Sequence, residues 1–391
     1  MEIAHYDVIG HSRGDCRQAV PLCVYRAMPE VCVNLGERSY VITIGPGALS
    51  ELGDRVVRLG APTGVLVVSN PVVARFYGEP ALKSVRAAGV RAELVTVPAG
   101  ERFKTLGTVR RVYDSLLDAR IDRKGAVVAL GGGVIGDMVG FAAATYLRGI
   151  DFHQVPTTLL AQVDASVGGK VGVDLAQGKN LVGAFHQPKS VVIDTKTLNT
   201  LPARELRSGL AEVVKHGIIY DQDFFVFLDR YASELLSRFE CPMIEAVRRS
   251  VEIKRDVVEK DERESGLRAI LNYGHTVGHA IEVTSGYGKY RHGEASSIGM
   301  VTEAILAERE GVAEPGLARE IARVLGKMRL PIAMDRSIPT QDMIRAIELD
   351  KKNLGGRLRL ALPSKIGECC IVEISRQALA SAIDGCGESK P

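Results

Sequence analysis

Histidines and carboxylates at helical spacing are the residues of this sequence best suited to metal chemistry. His275 and His279 are four residues apart in a segment with helical periodicity, so their imidazoles would share one face. His292 follows after a short loop, and Glu212 lies one turn before Lys215 in an earlier helical segment. Two imidazoles, one carboxylate and an open coordination position make a catalytic zinc site. The spacing does not settle which two histidines bind, or which carboxylate joins them among Glu212, Glu282 and Glu294.

A glycine-rich turn is suited to holding a phosphate. GGGVIGD (131–137) follows a predicted strand, and its residues Gly131, Gly133 and Gly136 match GxGxxG. Glycines let a backbone approach a phosphate closely, and the N-terminus of the following helix favours negative charge. The match alone is weak, because it falls in the fourth strand–helix unit and a tight turn needs the same residues. A second such turn, GERFK (100–104), also follows a predicted strand, and two at one sheet edge favour a dinucleotide.

A cluster of small and basic residues is suited to an acidic substrate. It comprises QVDASVGGK (162–170) and GKN (178–180). A single lysine is most often a solvated surface charge, but these cations lie beside glycines, asparagines or candidate metal ligands. A substrate with carboxylate and phosphate groups needs such a set. The candidate anion contacts are Lys170, Lys179, Lys215, Lys254 and Arg268.

The first half of the chain alternates short apolar runs with helical patterns. Strands are predicted at 39–45, 64–70, 92–98, 126–132 and 151–156. Helices are predicted near 48–59, 71–89, 104–118 and 137–147. This alternation predicts a parallel sheet with helices on both faces, because strands buried on both sides are apolar throughout.

The second half is predicted to be mainly helical. Helical spacing occurs at 203–220, 241–262, 268–285 and 293–311, and a short strand pair at 357–363 and 367–374. We therefore expect an α/β nucleotide-binding domain at 31–200 and a mostly α-helical domain at 201–391, after a variable leader at 1–30. Ligand sites in such proteins favour the cleft between domains.

Composition and charge favour a cytoplasmic enzyme of small molecules. The 391 residues are 46% apolar and 25% charged with a net charge of +3, which gives no reason to expect nucleic acid or a membrane surface. No apolar run approaches the roughly 20 residues that span a bilayer, and the N-terminus lacks the apolar core of a secretory signal. The seven cysteines are scattered without a CxxC pair, which is typical of reduced thiols.

Long motifs in this sequence resemble the dehydroquinate synthases over about residues 33–375. The longest run extends from Ala129 to Pro188 and contains VDASVGGK and GKNLVGAFHQP. Further matches are GLAEVVKHGII (209–219), EIKRDVVEKDERESGLRAILNYGHTVGHAIE (252–282), GYGKYRHGEASSIGM (286–300) and DKKNLGGRLRLAL (350–362). Several long motifs in one order are far more specific than GxGxxG. One conservative departure is KVGVD (170–174), where many members have KTGIN.

The resemblance implies a set of site residues. The implied zinc ligands are Glu212, His275 and His292, with Co²⁺ as a possible alternative metal. The implied NAD contacts are Asn70, Glu101, Lys104, Gly132, Gly133, Asp137, Thr157, Thr158, Lys179 and Thr200. The implied substrate residues are Asp164, Lys170, Asn180, Lys215, Lys254, Arg268, Asn272, His279 and one of Lys351 and Lys352. Arg148 matches an arginine that reaches the partner subunit's site, which implies a homodimer.

The resemblance also implies a reaction of the shikimate pathway. The implied substrate is 3-deoxy-D-arabino-heptulosonate 7-phosphate, and the products are 3-dehydroquinate and phosphate. Transient oxidation at C5 by NAD⁺ acidifies the C6 proton, so that phosphate can leave. Reduction by the same NADH, ring opening and an intramolecular aldol closure follow. Zinc would act as a Lewis acid, and the basic residues would hold the carboxylate and phosphate.

Three other functions are compatible with parts of the pattern. Sister sugar phosphate cyclases share the motifs, but the valiolone-forming relatives lack the histidine at 279 and the deoxy-inosose synthases carry an acid at 272. His279 and Asn272 are both present here. A metal-dependent NAD alcohol dehydrogenase would accumulate NADH and would not need the cluster at 162–180. A catalytically dead relative is disfavoured, because each matched position keeps a competent side chain.

Overall fold

The structure is a computed structural model that describes residues 27–264, 266–286, 288–334, 337–350 and 357–386. Lys351, Lys352 and most of the predicted leader lie outside these residues. Within them the chain divides into two compact units. The first unit contains residues 27–201 and Met243–Arg255, and the second contains Pro202–Pro242 and the described residues of 256–386.

The first unit is built on one seven-stranded sheet with the order β1-β2-β9-β6-β5-β3-β4. All neighbouring pairs are parallel except β1 and β2, which are antiparallel. A separate antiparallel hairpin is formed by β7 and β8. The strands of this unit are β1 Glu30–Val33, β2 Tyr40–Gly45, β3 Val65–Ser69, β4 Ala92–Thr96, β5 Ala126–Gly131, β6 Asp151–Pro156, β7 Lys170–Leu175, β8 Gly178–Phe185 and β9 Ser190–Asp194.

Helices cover both faces of this sheet, as predicted. Alternate residues of a strand point to opposite faces, and in β3 Leu66 and Val68 belong to one core cluster while Val65 and Val67 belong to the other. A strand with two buried faces has no polar side, which explains the unbroken apolar runs. The helices of this unit are α1 Leu52–Arg58, α2 Pro71–Ala87, α3 Leu106–Asp118 and α4 Gly133–Thr145. The predicted strands and helices of this half are therefore confirmed, with α4 beginning inside the glycine-rich turn.

The sequence did not predict strands β1, β7, β8 and β9. The hairpin of β7 and β8 contains Lys170 and GKN (178–180) of the small and basic cluster, for which no strand was predicted. Gly172 and Gly183 face each other there. A Cβ on Gly172 would lie 2.7 Å from the carbonyl oxygen of Val182, and one on Gly183 would lie 2.4 Å from that of Val171. Glycine is needed for this close approach, so it marks strand pairing here and not a loop.

The second unit is mainly helical, as predicted, with the antiparallel hairpin β10 Arg357–Lys365 and β11 Glu368–Ser375. The remaining helices, with α8 contributing to both units, are α5 Ala203–Tyr220, α6 Gln222–Arg230, α7 Ala232–Leu236, α8 Glu240–Lys260, α9 His275–Thr284, α10 His292–Arg309, α11 Leu317–Lys327, α12 Thr340–Asp350 and α13 Arg376–Cys386. Among the described residues, none of the helices has the length and apolar character needed to cross a membrane.

The predicted helix at 268–285 is wrong in one respect. Leu267–Asn272 forms a 3-10 turn, Gly274 has a φ of 79°, and α9 begins only at His275. The left-handed backbone at Gly274 breaks the helical path, and glycine adopts it without a steric penalty. Asn272 therefore does not share a helix with His275.

Candidate metal centre and cofactor-binding edge

The metal-centre candidate in the second unit is organised around Glu212. This carboxylate lies in the middle of α5 and is fully buried. Its Oε2 forms an ion pair with Lys215, one turn further along the same helix. Its Oε1 accepts no hydrogen bond of good geometry from the described residues. A buried carboxylate oxygen left in this way is costly unless a cation binds it, so its surroundings favour a positive ligand.

Two imidazoles are directed at this oxygen. Nε2 of His275 lies 3.7 Å from Glu212 Oε1, and Nε2 of His292 lies 3.4 Å from it. The three ligand atoms lie within 4.8 Å of one another. Nδ1 of His275 lies 3.1 Å from the carbonyl oxygen of Tyr273, and Nδ1 of His292 lies 3.2 Å from Glu282 Oε1. Since both partners are acceptors, a proton on each Nδ1 would leave Nε2 as the nitrogen that can bind a divalent ion.

The electrostatics of the three groups also suit a cation. Burial alone would raise the pKa of Glu212, but Lys215 and His275 hold it well below its usual range. Burial, with the nearby Lys215, lowers the pKa of His275 to about 3. Burial opposes protonation of His292, yet the nearby carboxylates of Glu212 and Glu282 raise its pKa to about 10. At neutral pH a proton on His292 therefore places one positive charge beside Glu212, and a divalent ion that bound there would displace this proton.

Close helix packing brings these three residues together. A Cβ on Gly293 would lie 2.0 Å from the carbonyl oxygen of Ser208, and the Gly293 N–H donates to Ser208 Oγ at 2.9 Å. A Cβ on Gly299 would lie 2.0 Å from the carbonyl oxygen of Gly274. Helix α10 thus meets α5 and the start of α9 with backbone against backbone. Only glycine allows this approach, which places His292 beside Glu212 and His275.

A second buried carboxylate fixes the start of α9. Glu303, on α10, accepts the N–H of Gly274 at 2.7 Å and the N–H of Val277 at 3.2 Å. Glu303 thus caps the N-terminus of α9 as an N-cap side chain would, although it is distant from α9 in sequence. Since His275 is the first residue of α9, this cap sets its position. The sequence gives no signal for it, because the contact joins residues on two different helices.

In the first unit, seven of the predicted NAD residues lie at one edge of the sheet. Each of these seven follows the carboxyl end of a strand in the parallel sheet, where such ends meet. Strands β3 and β5 are neighbours although β4 lies between them in sequence, so this edge contains a topological switch point, where ligands bind in open α/β sheets. The residues are Asn70 after β3, Glu101 after β4, Gly132 and Gly133 after β5, Thr157 and Thr158 after β6, and Thr200 after β9.

The glycine-rich turn has both a packing and a binding explanation. A Cβ on Gly132 would lie 3.0 Å from the Thr158 side chain, and one on Gly133 would lie 3.2 Å from Ala165. The Thr157 N–H donates to the carbonyl oxygen of Gly131 at 2.9 Å, which joins the two loops. Gly133 also opens α4, whose first N–H groups have no helical acceptor and can bind an anion.

Lys104 connects the two predicted residue sets of this unit. Its side chain is 4% exposed, and Nζ donates to Asp137 Oδ2 and to Asn180 Oδ1, both at 2.6 Å. Burial alone would lower the pKa of Lys104, but the Asp137 carboxylate and other acids raise it. Asn180 has a φ of 56°, and its N–H donates to Asp174 Oδ1 at 2.8 Å. Two predicted NAD residues and one predicted substrate residue are therefore joined by hydrogen bonds of the buried Lys104 ammonium.

Comparison with known proteins gives this architecture a family. Residues 94–208 match the model of the 3-dehydroquinate synthase N-terminal domain, and residues 209–353 match that of the C-terminal domain. The 3-dehydroquinate synthase of Pelotomaculum thermopropionicum is 48% identical over 344 residues, covering 88% of this chain and 93% of that protein. The chain belongs to the 3-dehydroquinate synthase family. The resemblance and the prediction of a phosphate-eliminating enzyme are confirmed by this membership.

Solved structures of two synthases share the fold. A 2-deoxy-scyllo-inosose synthase complexed with carbaglucose-6-phosphate, NAD⁺ and Co²⁺ has a TM-score of 0.83 at 25% identity, covering 92% of this chain and 100% of that chain. A 2-epi-5-epi-valiolone synthase from Streptomyces hygroscopicus subsp. jinggangensis 5008 with NAD⁺ and Zn²⁺ bound has a TM-score of 0.81 at 28% identity, covering 89% and 96%. The predicted fold class is therefore confirmed.

The structure distinguishes the three carboxylates among which the spacing could not choose a metal ligand. Glu212 Oε1 lies within 3.7 Å of both Nε2 atoms, whereas Glu282 contacts the opposite nitrogen of His292. Glu294 pairs with Arg204 through two contacts of 2.7 Å and lies outside the cluster of ligand atoms. His279 is half-buried, and its ring lies 5.4 Å from that of His275.

The other predicted substrate residues are less tightly grouped. Lys254 is buried and donates to the Asp164 carboxylate in the first unit. Arg268 is buried in the second unit and donates to the carbonyl oxygen of Glu262. Asn272 is exposed, and its Nδ2 donates to Glu264 Oε1 at 3.1 Å. The sequence did not single out Glu264, whose φ of 59° is unusual for glutamate.

Several predicted residues already have structural roles or lie exposed. Asn70 Oδ1 accepts the N–H groups of Val72 and Val73, so this side chain caps α2. Thr200 Oγ1 lies 2.7 Å from the hydroxyl of Tyr77. Besides Asn272, the exposed residues are Glu101, Arg148, Lys170, Lys179, Asn180 and Thr200.

Proposed function

We propose that this protein converts 3-deoxy-D-arabino-heptulosonate 7-phosphate into 3-dehydroquinate and phosphate, the cyclisation of the shikimate pathway. The observation that carries the proposal is the buried Glu212 carboxylate with Nε2 of His275 and His292 directed at it, in a chain of the 3-dehydroquinate synthase family. Substrate and product differ only by the elements of phosphoric acid. The reaction therefore has no net oxidation, and a hydride cofactor must return to its starting state.

NAD and a divalent metal are the proposed cofactors, with Zn²⁺ first and Co²⁺ as the alternative. When bound, NAD supplies reversible hydride transfer and the metal ion polarises a substrate oxygen. Glu212, His275 and His292 would hold the metal, because they offer one carboxylate and two imidazoles. The NAD contacts would be the edge residues described above together with Lys104, Asp137 and Lys179.

The chain's buried cations would bind the charged groups of the substrate. Lys215, Lys254 and Arg268 are each less than about a tenth exposed, so their contacts with carboxylate or phosphate are little screened by water. Asp164 and Glu212 hold two of these ammonium groups before substrate arrives. The proposed set is completed by Lys170, Asn180, Asn272 and His279. Asn272 and His279 favour this substrate over those of sister cyclases.

A homodimer is the proposed assembly, supported by an apolar face on the hairpin of β7 and β8. Val182 and Ala184 of β8 pack on the core, so the opposite side of the strand displays Leu181 at 58% exposure and Phe185 at 49%. Exposed apolar faces of this kind mark protein contacts. Arg148 is also exposed, with a φ of 68°, and would reach the partner's site.

The remaining proposals concern location and domain limits. Cys32, Cys241, Cys369, Cys370 and Cys386 are free thiols, which supports action in the cytoplasm. We retain 31–200 as the proposed functional NAD-binding domain and 201–391 as the proposed metal- and substrate-binding domain, although Met243–Arg255 packs with the first unit.

The test is phosphate release from 3-deoxy-D-arabino-heptulosonate 7-phosphate with catalytic NAD⁺ and Zn²⁺, while absorbance is followed for NADH. We expect stoichiometric phosphate and 3-dehydroquinate with no lasting NADH. Turnover of glucose 6-phosphate or sedoheptulose 7-phosphate instead would assign the protein to a sister cyclase. Steady accumulation of NADH on a simple alcohol would assign it to the dehydrogenases.

Mixing two inactive variants tests whether the subunits share their active sites. Arg148→Ala and Lys170→Ala homodimers should each be inactive. If Arg148 acts on the partner's site, each mixed dimer has one site with both residues intact. Random exchange makes half of the dimers mixed, so about a quarter of wild-type activity should return.

The control mixes Arg148→Ala with the double variant Arg148→Ala/Lys170→Ala, which cannot assemble a complete site. The decisive mixture is that of the two single variants, Arg148→Ala and Lys170→Ala. If mass spectrometry shows that its subunits exchange and no activity returns, Arg148 acts within its own subunit or not at all.

A further inference from the structure

Glu282 is a buried carboxylate that the metal centre does not use as a ligand. It lies in the last turn of α9 and is 7% exposed. Its Oε1 is 3.2 Å from Nδ1 of His292, the nitrogen that faces away from Glu212. His275 and Glu282 are two turns apart on α9 and therefore share one face. One helix thus supplies both a candidate metal ligand and a contact to another.

The position of Glu282 is unfavourable for the fold alone. A negative charge near the C-terminus of a helix opposes the helix dipole. Burial of a carboxylate adds a desolvation cost that only good hydrogen bonds offset. A glutamate kept there is better explained by its contact with His292 than by support of α9.

The two candidate imidazole ligands are held by different acceptors. Nδ1 of His275 faces the neutral carbonyl oxygen of Tyr273, whereas Nδ1 of His292 faces a carboxylate. A carboxylate acceptor fixes the tautomer and ring orientation and makes the opposite nitrogen a stronger electron donor. His292 should therefore be the stronger imidazole ligand of the pair.

We propose that Glu282 is a positioning residue that orients His292 and strengthens its bond to the divalent ion. The inference rests on the proposed metal centre. It concerns a residue that touches neither the ion nor the substrate and acts only through His292.

The experiment compares Zn²⁺ affinity, by chelator competition, in wild type, Glu282→Gln and Glu282→Met. Glutamine keeps an acceptor but loses the charge, and methionine loses both at similar size. We expect Zn²⁺ to bind about 10- to 100-fold more weakly to Glu282→Gln, and more weakly still to Glu282→Met. The visible spectrum of bound Co²⁺ should shift in both variants. A purely structural role would leave that spectrum unchanged.

Glu308→Gln is the matched control, since it makes the same chemical change on α10, the helix of His292. The Glu308 carboxylate accepts hydrogen bonds from the N–H groups of Gly316 and Ala318 at 2.9 and 2.8 Å. Removing its negative charge weakens these two bonds, so the variant should be less stable but should bind Zn²⁺ as wild type does. Wild-type affinity and Co²⁺ spectrum in both Glu282 variants would overturn the inference. If one variant fails to fold, the other decides. If wild type itself binds no Zn²⁺, the proposed metal centre is wrong, which is a separate outcome.

Discussion

Replacing His275 by alanine should remove the bound metal and the catalytic activity together. The change deletes one of three converging ligand atoms, and nothing else in the described cluster reaches that position. Mutation of residues that only hydrogen-bond to a metal ligand weakens metal binding by up to roughly 100-fold. The loss of Zn²⁺ affinity in His275→Ala should be larger than this. Metal content after dialysis, measured by mass spectrometry, and phosphate release on the same sample would check both effects.

His279→Ala is the matched control for this experiment. The residue lies on the same helix with its ring 5.4 Å from that of His275, yet it is absent from the converging ligand set. It should keep its metal and lose activity through the missing substrate contact. Full metal occupancy in His275→Ala, or metal loss in His279→Ala, would place the ion elsewhere.

The sequence predicted the parts of the fold whose burial leaves a simple pattern. Strands such as β3 and β5 are covered on both faces, so their apolar runs are continuous and easily recognised. The hairpin of β7 and β8 is covered on one face only and contains paired glycines, so its residues resemble those of a loop. Pairing between segments decided its structure, and no local pattern records that pairing.

The candidate metal centre was predictable in its residue types but not in its geometry. Helical spacing correctly placed His275 and His279 near each other, but Gly274 separates Asn272 from that helix. The choice among carboxylates depends on tertiary contacts. Glu294 forms an ion pair with Arg204, and Glu282 contacts Nδ1 of His292. The candidate ligands lie on three helices, and spacing within one helix cannot show how the helices pack.

Replacing Gly293 by alanine should lower both the stability of the protein and its affinity for metal. Alanine is the better helix former by about 1 kcal/mol, so propensity alone predicts a gain. The added Cβ would lie 2.0 Å from the Ser208 carbonyl oxygen, a backbone atom that cannot rotate away. Helix α10 must then move from α5, which costs about 1–3 kcal/mol and carries His292 away from its position 3.4 Å from Glu212.

Gly326→Ala is the opposite case and serves as the control. Gly326 lies in α11, and its added Cβ would meet no atom within 4 Å. This variant should gain about 0.5–1 kcal/mol and bind Zn²⁺ as wild type does. Denaturant unfolding of the metal-free proteins measures whether each variant has a lower or a higher free energy of unfolding than wild type. Chelator competition measures the Zn²⁺ affinity. A stable Gly293→Ala protein with normal Zn²⁺ affinity would show that the metal site does not depend on the contact between α5 and α10, because the same methyl group would then be harmless in both helices.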